Sequence, residues 1–493
     1  MKSRTDVARL RTLSFRLRMQ TKSPWFIFLL VAVAQFMVVL DASITNVALP
    51  AIKASLGFST AALQWVVTSY ALTFGGFLLL GGRAADLFGH KRVLIAGLSG
   101  FTVVSFLIGV SQSATMLIVL RSLQGVCGAL MSPAALSVIL LIFAEGKDRN
   151  RALSLWTTVA TGGAAVGLVL GGILTQYAGW RWNFFLNVPV GIAVVLAIRT
   201  HLEEQGARVA HRHLDLPGAA LVTLGLMLLV FVISKAPAWG WLSPLTLGSA
   251  AVTILLLGGF VWNESISKHP LMPLSIFKVR NLTGANLMMA PIMAGMFGMF
   301  YLISLYVQNV LAYTPFLAGL CFLPFPLILG SLSTTVGRAV TRFGYRPFLI
   351  IGPSLVALSM LWLTRLPVVG NYWIDIFPTI ILMPIGLSMT FMPIMLAATS
   401  GIPPDEAGLA AGLINTSQQM GGALGLAILS SVAAAVAASH AGLGKSEALV
   451  AGYDHAFLIA LLFVVGATVL GLLIIRQKKG VPGADAPVVV HTM

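Results

Sequence analysis

Residues 82–97 read GRAADLFGHKRVLIAG, and residues 337–352 read GRAVTRFGYRPFLIIG. Eight of the sixteen positions are identical in place, and the copies stand 255 residues apart. Each copy follows a pair of long apolar runs. One membrane crossing takes about 20 apolar residues, so the offset leaves room for six crossings and two more. The chain therefore reads as two related halves with an insertion between them. Parallel half-repeats of this kind build transporters whose substrate site lies between the halves, near the middle of the membrane.

Working outward, the composition agrees. Of 493 residues, 58% are hydrophobic and 9% are charged, against about 25% charged in soluble domains. So few charges cannot cover a water-exposed surface. The net charge of +16 suggests nucleic acid, but the Lys and Arg residues fall in short segments between apolar runs rather than on a basic soluble domain, so no nucleic-acid partner is expected. Cys127 and Cys321 lie inside apolar runs with no CxxC or Cys/His pattern, so neither a metal site nor a disulfide framework is expected. No cofactor is implied. The first apolar run is longer than the core of a signal peptide and carries Asp41 near its far end, which reads as a retained first span.

Fourteen runs qualify as spans: 25–49, 60–82, 92–112, 114–143, 150–174, 183–201, 217–235, 245–264, 284–312, 314–336, 347–366, 374–398, 407–437 and 453–475. Backbone groups in lipid must be satisfied within their own segment, and in runs this long only helices achieve that. The expected fold is an all-α polytopic membrane protein with 14 transmembrane helices. Its parts are a basic tail (1–24), a six-helix bundle (25–201), two extra central helices (217–264), a second six-helix bundle (284–475) and a second tail (476–493).

Twenty-five Lys and Arg residues fall in the tails and even-numbered connections, and five on the opposite face. Positive charge stays cytoplasmic, so both termini are expected in the cytoplasm. Trp25, Trp180, Trp182, Trp239, Trp241 and Trp373 fall near expected span ends, where indole rings anchor helices at the interface.

Four further stretches carry a family resemblance. Leu40–Pro50, LDASITNVALP, resembles a first-span motif, LDxTIVNVALP. Gly82–Arg92 is similar to a loop signature, with Leu87 and His90 where Arg is usual. Leu117-x-x-x-Arg121-x-x-Gln124-Gly125-x-x-Gly128 looks like a fourth-span motif. Trp180–Pro189, WRWNFFLNVP, resembles the start of span 6. On these residues the chain resembles the major facilitator superfamily, and within it the fourteen-span drug:proton antiporters, over roughly residues 25–475. The span-5 antiporter motif, GxxxGPxxGG, is matched by Gly163, Gly167, Gly171 and Gly172, with Leu168 in place of its proline. The resemblance implies export of small molecules in exchange for protons across the bacterial cytoplasmic membrane, with lipid as the surrounding partner. It leaves any periplasmic adaptor unknown.

Charged groups inside a membrane cost about 2.5–3.5 kcal/mol at a helix centre on insertion scales. Asp41 and Arg121 are the two clear cases within the expected spans. Asp41 lies 16 residues after Trp25, about 24 Å along a helix, which puts it in the outer half. A carboxylate that alternates between drier and wetter surroundings can take up and release a proton, as a proton-coupled exchanger requires. Arg121 stays charged, so its expected part is to bias Asp41 or to organise a polar network with Gln124, which shares its helix face. The spacing does not tell whether Arg121 reaches Asp41.

In the 82–92 segment, Gly82 and Gly89 are expected to permit a tight turn. Asp86 is expected to face a helix end, with Arg83, Lys91 and Arg92 pairing with it or with anionic lipid. The resemblance implies a latch between the halves. Substrate-contact candidates are Met289, Met293, Met296 and Phe300, on one stripe of span 9, since Met suits promiscuous apolar sites. Polar candidates are Gln64, Thr68 and Tyr70 in span 2, Gln124 in span 4, Tyr306 and Gln308 in span 9, and Asn415, Gln418 and Gln419 in span 13. Each could instead bond between helices. As membrane acids the second half has only Asp375 and Asp454, expected near span ends on the outer side, and span 10 has none. Poor handling of dicationic drugs is therefore expected.

No GxxxxGK[ST] phosphate loop is present, so energy is expected from an ion gradient or a partner rather than from ATP hydrolysis by this chain. No nucleophilic or metal constellation suggests an enzyme. The leading reading is a proton-coupled exporter of amphipathic small molecules. The alternatives are a facilitator or importer of a defined metabolite, since fold alone does not set direction, and a non-transporting membrane sensor.

Overall fold

A computed structural model describes residues 23–143, 146–203, 215–267, 270–400, 402, 407–440, 442 and 444–475. The tails 1–24 and 476–493 lie outside these, apart from Ser23 and Pro24. In chain order the first half comprises α1 (Pro24–Leu56), α2 (Thr60–Leu63), α3 (Trp65–Phe88), α4 (His90–Gly109), α5 (Ala114–Ile142), α6 (Lys147–Tyr177), α7 (Trp182–Phe185) and α8 (Asn187–His201). A hairpin follows, of α9 (Leu216–Trp239) and α10 (Pro244–Ile266). The second half comprises α11 (Arg280–Asn309), α12 (Pro315–Phe322), α13 (Pro324–Phe343), α14 (Phe348–Leu363), α15 (Phe377–Thr399), α16 (Ala407–Ser439) and α17 (Lys445–Ile474).

Among the described residues, twelve helical stretches are long and apolar enough to cross a membrane. Two further helices sit in sequence between them and outside that set: α6, which is 31 residues long but less apolar, and α14, an apolar helix of 16 residues.

Helix ends follow local chemistry. Pro24 opens α1, and Gly57 closes it at φ 68° with its N–H returned to the Lys53 carbonyl. Asp215, Ser243 and Thr314 cap α9, α10 and α12 by accepting backbone N–H groups, which would otherwise be orphaned.

Several expected boundaries are corrected. The segment 82–92 is not a loop: α3 runs through Gly82, Arg83 and Asp86 to Phe88. Only Gly89, at φ 97°, turns the chain, a conformation that costs glycine no Cβ clash. Span 10 is two helices, α12 and α13, meeting at Leu323-Pro324. The last span begins at Lys445 rather than 453, so Asp454 lies inside α17, where it accepts the Leu366 N–H at 3.1 Å.

The halves repeat in packing as well as in sequence. α6 lies along α1, and Gly167 and Gly171 of α6 face Ser43 and Ile44 so closely that a Cβ would sit 2.8–2.9 Å from their atoms. In the second half α16 lies along α11 in the same way, with Gly421 and Gly425 facing Ala290 and Ala294. Small residues let the backbones approach where hydrophobic burial gives no drive. Gly172 packs instead across the halves, on Pro315 and Phe316. The α9 helix lies against α3 and α16, with Leu226 and Val230 packed on Ala71, Leu72, Ala423 and Ala427.

Candidate functional site

The first and last described helix ends, Pro24 and Ile474, define a near end of the bundle; Leu56, Asn309 and Lys445 mark the far end. Asp41, past the middle of α1, has a side chain 1% exposed. Its Oδ2 lies 2.5 Å from Arg121 Nη1, across from α5. Its Oδ1 accepts Gln124 Nε2 at 3.0 Å and Asn187 Nδ2 at 3.1 Å. Arg121 also donates Nη1 to Gln124 Oε1 at 2.6 Å and Nε to the Val66 carbonyl at 3.0 Å. Gln124 Nε2 continues to Ser105 Oγ at 2.9 Å. The Arg121 guanidinium carbon lies 4.4 Å from the Tyr70 ring centre and 5.8 Å from that of Phe184, close enough for cation–π attraction.

Sequence reading identified Asp41, Arg121 and Gln124 but left their contact open. The folded chain brings them together from α1 and α5. Asn187, Ser105 and Phe184 were missed. Asn187 and Phe184 lay within the quoted Trp180–Pro189 stretch and were read only as a helix start. No signal in the sequence pointed to Ser105. A carboxylate with one ion-paired oxygen and another held by two amide donors is satisfied in its ionised form.

The substrate-contact candidates divide. Gln64 is buried and bridges three elements: its Nε2 donates to Ser234 Oγ of α9 at 2.6 Å, and its Oε1 accepts from Ser430 Oγ of α16 at 2.5 Å. Gln308 Nε2 donates to the Val47 carbonyl at 3.2 Å, and Ser304 Oγ to the Asn46 carbonyl at 2.8 Å. Phe316 N–H reaches Gln176 Oε1 at 3.3 Å. These bonds join the two halves at the far end. Tyr306 OH donates to the Pro367 carbonyl at 2.6 Å. Thr68 Oγ1 and Tyr70 OH are buried without a hydrogen-bond partner.

Met289 and Met293 hold core positions in the second half, whereas Met296 and Phe300 are half-buried. Phe300 packs on Phe322 and Phe325, with ring centroids 5.2 and 4.8 Å away. Gln418 and Gln419 are half-buried on α16, Gln419 against Gly75 of α3, and Asn415 is exposed. A cavity of about 90 Å³ opens between α11, α16 and α17, with Ser430, Tyr301 and Tyr453 in its wall.

At the near end, Arg83, Asp86 and Arg92 are exposed. Asp86 meets His90 at 3.3 Å rather than a helix end, and Lys91 Nζ donates to the Arg199 carbonyl at 3.0 Å, within its own half. One buried acid was missed altogether: Glu264, in the last turn of α10, is 4% exposed. Asp41 and Arg121 are therefore not the only ionisable residues withdrawn from water in the helices.

The profile of the Major Facilitator Superfamily matches residues 31–426. The chain belongs to the Major Facilitator Superfamily. Within that superfamily it is similar to the puromycin resistance protein pur8 of Streptomyces alboniger, 38% identical over 90% of this chain and 89% of that protein. It is 36% identical to the cephamycin export protein CmcT of Amycolatopsis lactamdurans, over 94% of each. It is 35% identical to a tetracenomycin C resistance and export protein of Streptomyces glaucescens, over 82% of this chain and 75% of that one. Among solved structures it resembles the peptide transporter POT in complex with sulfate, at TM-score 0.67 and 15% identity, over 92% of this chain and 96% of that one. It also resembles the POT family transporter PepTSo, at TM-score 0.68 and 14% identity, over 92% and 98%. At those identities the structures speak for the superfamily fold alone.

Proposed function

We propose that this chain is a proton-driven exporter of amphipathic small molecules, antibiotics among them, across the bacterial cytoplasmic membrane. The observation that carries the reading is the Asp41–Arg121 pair, buried inside the first bundle and held by Gln124 and Asn187. The resistance and export proteins it resembles support the direction of transport.

In this reading Asp41 takes up a proton from the far, outer side and loses its bond to Arg121. Arg121 then keeps only Gln124, the Val66 carbonyl and the two rings, and the helices that carry these groups shift. The far-end bonds of Gln64, Gln308 and Ser304 between the halves open in the step that exposes substrate outward. Met296, Phe300, Gln418 and Gln419 form the substrate-facing surface. The glycines of α6 form the sliding contact with α1 and the second half, with Leu168 standing where relatives of this type carry proline. Gly82, Arg83, Asp86, Gly89, Lys91 and Arg92 hold the near end of the first half during that motion.

The twelve candidate spans together with α6 and α14 make fourteen, with α9 and α10 as the inserted pair between six-helix halves. In this reading an even count and the basic tails favour a cytoplasmic position for both termini. Substrate and protons are the partners; no cofactor enters the cycle.

The test is uphill ethidium flux in liposomes under an imposed pH gradient, wild type beside Asp41→Asn, after the variant's folding has been verified. Gradient-driven flux lost in Asp41→Asn upholds the reading. Dye binding without gradient-driven flux in the wild type overturns it.

A further inference from the structure

The hairpin α9–α10 carries two buried acids that the transport reading does not use. Asp215 caps α9: its Oδ1 accepts the Gly218 N–H at 2.8 Å and Asn263 Nδ2 at 3.0 Å, and its Oδ2 accepts the same Asn263 nitrogen at 2.8 Å. Glu264 Oε2 accepts the Met272 N–H at 2.9 Å. Glu264 Oε1 is buried with no hydrogen-bond partner. That free oxygen and Asp215 Oδ2 converge over Gly218, where an added Cβ would lie 2.8 Å from the one and 2.6 Å from the other. Among the described residues, Asp215 is the charged group that acts on Glu264, α10 contributes Asn263, and the described part of the following loop contributes backbone N–H groups.

Two carboxylates withdrawn from water and turned toward each other cannot both stay ionised. Asp215 is the better supplied with donors. It sits at a helix N-terminus, where the dipole favours an anion, and it receives three donated bonds. Glu264 Oε2 receives the Met272 N–H, while its Oε1 is left a buried acceptor without a donor, an unfavourable state for a charged oxygen. As a carboxylic acid the same oxygen becomes the donor that the geometry lacks.

We propose that Asp215 and Glu264 share one proton, held on Glu264 Oε1 and donated to Asp215, and that this proton closes the near end of the central hairpin. Glu264 also holds Met272, eight residues before Arg280 begins α11. The site therefore ties the hairpin to the lead-in of the second half. Loss of the proton to water leaves two facing anions, and the contact between α9 and α10 at Gly218 opens.

Infrared spectroscopy of the full-length protein in lipid tests this without any transport measurement. At neutral pH the wild type should show the carbonyl stretch of a protonated acid. Glu264→Gln should lose that band, Asp215→Asn should shift or abolish it, and Asp41→Asn should keep it. Glu264→Gln retains a donor for Asp215, so its melting temperature should stay level as pH rises while that of the wild type falls. Gly218→Ala, which wedges the pair apart, should lose the band at neutral pH. A Glu264→Gln spectrum that matches the wild type, or wild-type and Glu264→Gln melting curves with the same pH dependence, overturns the assignment. Failure of ethidium flux would leave these bands unaffected, so the two readings fail separately.

Discussion

Arg121 on α5 reaches Asp41 on α1 with its Nη1 at 2.5 Å, and both side chains are 1% exposed. A buried pair of this kind behaves as a unit. Removing one partner leaves an uncompensated charge, at a cost of about 3–5 kcal/mol.

Arg121→Leu alone should therefore lower the melting temperature strongly. Combining it with Asp41→Leu should recover most of the loss, because a buried pair and its apolar replacement are often close in stability. Proton-driven flux should stay absent in the double variant. Thermal unfolding in detergent beside liposome flux reads both, and a double variant that pumps against the gradient would refute the coupling role.

Asn187 should act as a positioning residue for Asp41. Asn187→Leu removes a donor to Asp41 Oδ1, so the pH profile of flux should change while ethidium affinity at the optimum is kept. Asn187→Gln, which keeps an amide donor, should restore part of the wild-type profile. An unmoved profile in Asn187→Leu would show that the bond is structural only.

Gln64 joins the first half to Ser430 and to Ser234 of the central hairpin. A net hydrogen bond contributes about 0.5–1.5 kcal/mol, so Gln64→Leu should raise the far-end-open population by up to about tenfold. Spin labels placed across the far ends of α1 and α11 should report a larger long-distance fraction. Unchanged distance distributions would remove Gln64 from the gate.

Gly172 faces Pro315 and Phe316 across the halves, with 2.7 and 2.8 Å to the nearest atoms of a Cβ placed there. Gly172→Val should hold the halves apart at the far end and suppress flux. The same change at Gly162, where nothing lies within 4 Å of the added Cβ, should be mild. Equal losses at both positions would mean that general helix damage, not the junction, is responsible.

No acid lies on α12 or α13. Competition flux should therefore favour a monocationic dye over a dicationic one. Efficient export of a dication that needs Asp41 alone would remove this expectation.

The sequence by itself determined the helical class and the internal repeat, and it singled out Asp41 and Arg121 as ionisable residues within apolar runs. Each rests on features that need no partner: apolar length, periodic glycine, and the rarity of charge in an apolar run. It also misled where ends depend on context. The 82–92 segment looks like a loop by its charges, yet α3 runs through it to Gly89, because exposed Arg83 and Asp86 are tolerated on a helix that has reached the edge of the apolar layer. Only the tertiary structure decided which residues meet. Asn187 bonds Asp41 directly from 146 positions away in the chain, Ser105 joins the network through Gln124 from 64 positions away, and Glu264 turns toward Asp215 across a hairpin. Gln64 proved to be a junction between halves. A sequence records residue types and spacing along one helix, whereas contacts between helices are set by crossing angle and rotation, which the packing of small residues against neighbouring backbones fixes only in the folded bundle.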